Sequence, residues 1–129
     1  MFHTPPKFAD LTPELVARLD AFRDEHAGDS IGDVADHVLF EDDNIRIWEM
    51  KLEPGEHSAL HEHKHDYYLI IFSGDLVAGV TPKDYPMESF VGVVPEAGNT
   101  VGIPKGGIEW AWNIGKETYH EYLVELKNT

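Results

Sequence analysis

GEHSALHEHKHDYYLIIFSG, residues Gly55 to Gly74, is the stretch from which the fold is read. His61 and His63 stand two residues apart in it, so on a strand their side chains leave the same face. Two imidazoles on one face make a candidate metal site. Pro54-Gly55 opens the segment with a turn signal and Ser73-Gly74-Asp75 closes it with another, so the chain turns, presents histidines and turns back.

Outward from this segment the texture is uniform. From Val34 on, short runs rich in Val, Ile, Phe, Tyr and Trp alternate with turn punctuation such as Asp42-Asp43-Asn44, Thr81-Pro82-Lys83-Asp84 and Ile114-Gly115-Lys116. Strands are expected at Val34–Glu41, Ile45–Glu53, His57–Glu62, Tyr67–Phe72, Leu76–Thr81, Met87–Val94, Thr100–Ile103, Ile108–Asn113 and Tyr119–Leu126. This is an all-β pattern of sandwich or barrel type. Before it, Thr12 and Pro13 read as an N-cap and first-turn pair, and Leu15, Val16, Leu19 and Phe22 recur at helical spacing. One amphipathic helix over Thr12–His26 is expected to dock its apolar stripe on the body of the fold. The 129 residues form a single domain with no linker: an N-terminal extension, 1–33, and a β-barrel, 34–129.

Composition removes several kinds of chemistry. With no cysteine there is no disulfide framework, thiolate zinc site, iron–sulfur cluster or cysteine nucleophile, so any metal is held by nitrogen and oxygen. The formal charge of −14, with ten Lys and Arg in all, argues against nucleic acid and anionic membranes as partners. The opening MFHTPPKFAD has neither the basic nor the apolar region of a signal peptide, and no apolar run approaches spanning length; a cytoplasmic protein is expected.

A resemblance sharpens the fold. Gly55, His61, His63, Tyr67 and Gly74 follow G(x)5HxH(x)3Y(x)6G, which resembles the first motif of the cupin superfamily with tyrosine in place of its glutamate. Gly98, Pro104, Gly106, Glu109 and Asn113 follow G(x)5PxG(x)2E(x)3N, similar to the second cupin motif with glutamate in place of its histidine. The resemblance covers roughly Val38 to Leu126 and implies an RmlC-like double-stranded β-helix, a jelly roll with a metal or small ligand inside. It further implies that His61, His63, Tyr67 and Glu109 are the metal positions, for a divalent transition metal: Fe, Mn, Ni, Co, Cu or Zn. Two histidines and one carboxylate leave open coordination positions, and here the carboxylate comes from the second motif. Tyr67 is then a phenolate ligand, an acid, or an aromatic plug whose hydroxyl is satisfied nearby. His61 and His63 have a plainer alternative as hydrogen-bonded barrel histidines. Glu109, if inward, needs a cation or several donors; if its strand is shifted, it faces water. His57 and His65 share the parity of the pair but fall near turns and read as exposed loop histidines, while Asp66 and Tyr68 read as structural.

With Glu109, Ala111 and Asn113 inward, Trp110 and Trp112 point outward. They form an apolar patch that suggests a homodimer, unless the helix of the same chain covers it. The functional reading is a metal-dependent enzyme acting on a small, partly apolar organic molecule, an oxygenase, isomerase or lyase. Tyr67 and Glu109 are its catalytic residues, and Tyr67, Leu69 and Ile71 line the pocket. The alternatives are a metal-free isomerase or epimerase with a His/Tyr acid–base pair, and a non-enzymatic module that only binds its ligand.

Overall fold

The computed structural model describes residues 6–94 and 99–129; Gly98, the first glycine of the second motif, lies outside them. One helix, α1 (Pro13–Glu25), precedes nine strands: β1 (His37–Glu41), β2 (Ile45–Leu52), β3 (His61–Glu62), β4 (Tyr67–Ser73), β5 (Leu76–Val80), β6 (Phe90–Val93), β7 (Thr100–Ile103), β8 (Ile108–Asn113) and β9 (Tyr119–Leu126). They form two sheets, a five-stranded one in the order β1-β2-β9-β4-β7 and a four-stranded one in the order β3-β8-β5-β6. Every ladder between them is antiparallel. This is the double-stranded jelly roll that the sequence implies. Gly55 and Gly74, which bracket the histidine segment, both take positive φ, at 89° and 127°, where a Cβ is disfavoured.

Most strand expectations agree with the structure to within a residue, and three are shortened further. The first begins at His37 rather than Val34, although Val34 and Ala35 are buried ahead of it. The sixth keeps only Phe90–Val93. The third shrinks to His61–Glu62, with His57 in an isolated bridge to Trp112. Its interruption has a local cause: the Ala111 amide donates to the Ser58 hydroxyl at 2.9 Å, so a side chain takes the place of a backbone carbonyl.

Two cores result. Between the sheets, Trp48, Met50, Leu52, Ile71, Val101 and Leu123 pack with Tyr67 and Tyr119. Outside the smaller sheet, Leu19 and Phe22 of α1 meet Ala78, Val80, Val91 and Trp110. Thr12 caps the helix through its hydroxyl, which accepts the Leu15 amide at 3.2 Å, with Pro13 in the first turn. Burying Leu19 and Phe22 stabilises the docked helix by about 2 kcal/mol each.

The outward direction of the two tryptophans is as read, but they form no exposed patch. Trp110 is buried and its indole N–H donates to Asp29 at 3.0 Å; the Trp112 ring stacks on Phe22 at 4.4 Å, with the Arg18 guanidinium over it. The helix of the same chain covers them, and the homodimer expectation loses the surface on which it was built. Exposed apolar side chains lie instead on the edge strand β1, at Val38, Leu39 and Phe40. No helix is long and apolar enough to cross a membrane among the described residues.

Candidate metal centre

Antiparallel pairing of β3 with β8 sets His61 directly opposite Glu109. His63 follows β3 by one residue and is pinned at the backbone, its amide donating to Gly107 O and its carbonyl accepting from Gly106 N, both at 2.8 Å. Parity then turns His61, His63 and Glu109 to the same side, into the space between the sheets. Their ligand atoms all lie within 4.8 Å of one another. His61 Nε2 and His63 Nε2 are 3.1 Å apart, and His63 Nε2 is 3.4 Å from Glu109 Oε1.

These separations fit a shared ion. Donors about 2.1 Å from a metal are separated by roughly 3.0 Å at a right angle and by roughly 3.4 Å at the tetrahedral angle. Both histidines are nearly inaccessible, and the Glu109 side chain is 12% exposed, so an ionised carboxylate there needs a cationic partner. His61 Nδ1 lies 2.9 Å from Ala59 O, a contact that places the proton on Nδ1 and leaves Nε2 a lone pair for the cavity. Burial, and then the neighbouring His63, hold His61 below the usual imidazole range, partly offset by Glu109; the ring is neutral and ready to ligate. His63 Nδ1 is buried without a hydrogen-bond partner among the described residues. That ring is oriented instead by stacking on Tyr67, with centroids 4.1 Å apart and planes 14° apart.

Tyr67 therefore stands beside the three converging donors as a wall against His63. Burial, followed by the charges of Glu109 and Glu121, pushes its phenol far above the ordinary range, so the hydroxyl keeps its proton. Room for the Glu109 carboxylate comes from Gly79 on β5, which pairs with Ala111. A Cβ at Gly79 would lie 2.7 Å from Glu109 Oε2 and closer still to the Phe90 ring. His57 packs against Phe22 and His26 outside the barrel, and His65 sits near Thr129, both away from the donors. Asp66 is structural, accepting the Lys105 amide at 2.9 Å and donating its own to Thr129 Oγ1.

The donors line a cavity of about 540 Å³. Most of its wall is carbon, including Met50, Leu69, Ile71, Val77, Val101 and Leu123. Its lining also includes polar residues that the sequence does not point to: the exposed Lys7 and Lys105, and the buried Tyr119 and Glu121 of β9. Along β9 the buried positions are Tyr119, Glu121, Leu123 and Glu125. Hydrophobic alternation points the other way, because Tyr122, Val124 and Leu126 form the more apolar series; only pairing with β2 and β4 on both sides reveals the inward face.

Comparison with known proteins supports the fold. No protein-family profile and no curated protein sequence matches the chain. Among solved structures, a cupin domain from Bordetella pertussis Tohama I is similar at 18% identity and a TM-score of 0.63, over 78% of this chain and 99% of that one. A conserved protein with a double-stranded β-helix domain from Klebsiella pneumoniae is similar at 21% identity and a TM-score of 0.55, over 81% and 85%. A cupin superfamily protein from Desulfitobacterium hafniense follows at 18% and 0.50, over 74% and 83%. The chain has the cupin double-stranded β-helix fold.

Proposed function

We propose that this protein is a metal-dependent enzyme that transforms a small organic molecule held between its two sheets. The observation that carries the reading is the convergence of His61, His63 and Glu109 within 4.8 Å on the wall of a cavity of about 540 Å³. These three side chains would hold a divalent transition ion through two nitrogens and one oxygen, a set that suits iron, manganese, nickel, cobalt, copper or zinc. Bound there, such an ion would supply Lewis acidity toward a carbonyl, water or dioxygen. The rest of the work belongs to the chain. Tyr67, protonated and stacked on His63, offers its hydroxyl as a hydrogen-bond donor to a ligand in the cavity; the carbon walls receive the apolar part of the molecule.

Elemental analysis of protein purified without an affinity tag, before and after reconstitution, tests the proposal. About one ion per chain in the wild type and loss of it in the His61→Ala/His63→Ala double variant is the expected result. A wild-type protein that holds no ion and takes none up would overturn it. Activity that survives chelation but vanishes in both His61→Ala and Tyr67→Phe would replace it with metal-free acid–base chemistry, in which neutral His61 is the base and Tyr67 the acid.

A further inference from the structure

Strand β9 sends two carboxylates inward, and their surroundings differ. Glu125 has partners on the protein: its Oε1 accepts the Trp48 indole N–H at 2.5 Å and faces the Arg46 guanidinium at 3.6 Å. Among the described residues Glu121 has the Tyr119 hydroxyl as its one side-chain partner, and its Oε2 is buried with nothing in hydrogen-bond reach. Glu121 is 4% exposed, yet it lines the cavity. It does so from the five-stranded sheet, whereas His61 and Glu109 reach the same space from the four-stranded one. Between these two polar poles the wall is mostly carbon, supplied by Met50, Ile71, Val77, Val101 and Leu123, while the exposed Lys7 and Lys105 also line the cavity. Buried polar atoms are nearly always paired, and an unpaired one inside a roomy cavity marks where a ligand's own polar group belongs.

We propose that Glu121, backed by Tyr119, is the specificity residue of the cavity, hydrogen-bonding a hydroxyl or carbonyl at the β9 end of a largely hydrocarbon ligand that spans from β9 to the His61–His63–Glu109 pole. The inference rests on the reading of this cavity as the ligand site. The chemistry of the pole follows from its neighbours. No Lys or Arg among the described residues pairs with Glu121, and burial, with Glu109 and Asp36 near, pushes its carboxyl up to about 8. A neutral carboxyl both donates and accepts, which suits an alcohol, phenol or ketone oxygen and disfavours a carboxylate or phosphate at that end.

Two matched probes, 4-ethylphenol and ethylbenzene, differ by one hydroxyl, and their dissociation constants are measured by NMR titration on chelator-treated wild type, Glu121→Gln and Glu121→Leu. Wild type is expected to bind the phenol at least about fivefold more tightly than the hydrocarbon, in line with one neutral hydrogen bond. The preference should persist in Glu121→Gln, which keeps a donor and an acceptor, and disappear in Glu121→Leu. Equal affinities in wild type, no saturable binding of either probe, or an undiminished preference in Glu121→Leu overturns the proposal. Metal uptake is measured on the same preparations. A wild type that takes up no ion yet shows the Glu121-dependent preference refutes the metal reading alone, and one that binds an ion without that preference refutes the role of Glu121 alone. Glu121→Leu removes a buried polar group, and Glu121→Gln serves as the isosteric control on folding.

Discussion

Glu109 and Tyr67 differ from the residues that the two cupin motifs carry, and the structure separates their positions. Glu109 is drawn to the histidines by strand pairing, and its carboxylate occupies space that Gly79 leaves free. Gly79→Ala should therefore displace the carboxylate, or Phe90, and weaken metal affinity by roughly tenfold, as losses of ligand-supporting contacts do; isothermal titration with zinc or manganese checks this. Tyr67 lies face to face with His63 and keeps its proton. Tyr67→Phe preserves the stacking surface and should leave metal uptake within about threefold of wild type, consistent with the ordinary scatter of contacts outside the ligand set. Loss of the ion in that variant would make Tyr67 a phenolate ligand. His61 adds a pH dependence. Its folded-state value lies below the usual imidazole range, so the folded protein binds fewer protons than the unfolded chain, and the stability this gives is lost as the pH falls below about 6.5.

Among the elements, β9 was the hardest to read and α1 the easiest. Thr12, Pro13 and the Leu19 and Phe22 spacing were sufficient to locate the helix, because capping and 3.6-residue periodicity are local. The face that β9 buries is set by neighbours distant in sequence, and its carboxylates run against hydrophobic alternation. Glu121 carries the testable consequence. Its carboxyl is pushed from 4.5 to about 8 by burial, so the folded state holds a proton that the unfolded chain releases, and the resulting stability fades as pH rises from about 4.5 through about 8. In metal-free protein, the melting temperature of Glu121→Gln relative to wild type should climb across that interval; a constant difference would contradict a protonated Glu121. On the helix side, Phe22→Ala removes the ring that meets Trp110 and Trp112 and should cost about 3–4 kcal/mol by urea denaturation.

At the scale of the molecule, the two-sheet architecture was legible because turn punctuation recurs between short β-rich runs, and because both glycine-led motifs keep their spacing. His61, His63 and Glu109 were legible for the same reason: parity and motif order place them together, and the β3–β8 register does so in space. What covers Trp110 and Trp112 was not legible, since an outward-facing tryptophan looks alike whether its cover is a second molecule or the chain's own helix. Nor was the second polar pole of the cavity, which exists only once β9 lies between β2 and β4. The fold thus assembles a carbon-walled chamber with acidic and imidazole groups on one sheet and a buried carboxyl on the other. The most direct test of its central claim is an anomalous-difference map from crystals of tag-free protein, recorded at the absorption edge of the metal found by elemental analysis. The account predicts one peak per chain, about 2.0–2.2 Å from His61 Nε2, His63 Nε2 and a Glu109 carboxylate oxygen. A featureless cavity in metal-replete crystals, or a peak held by other residues, would contradict it.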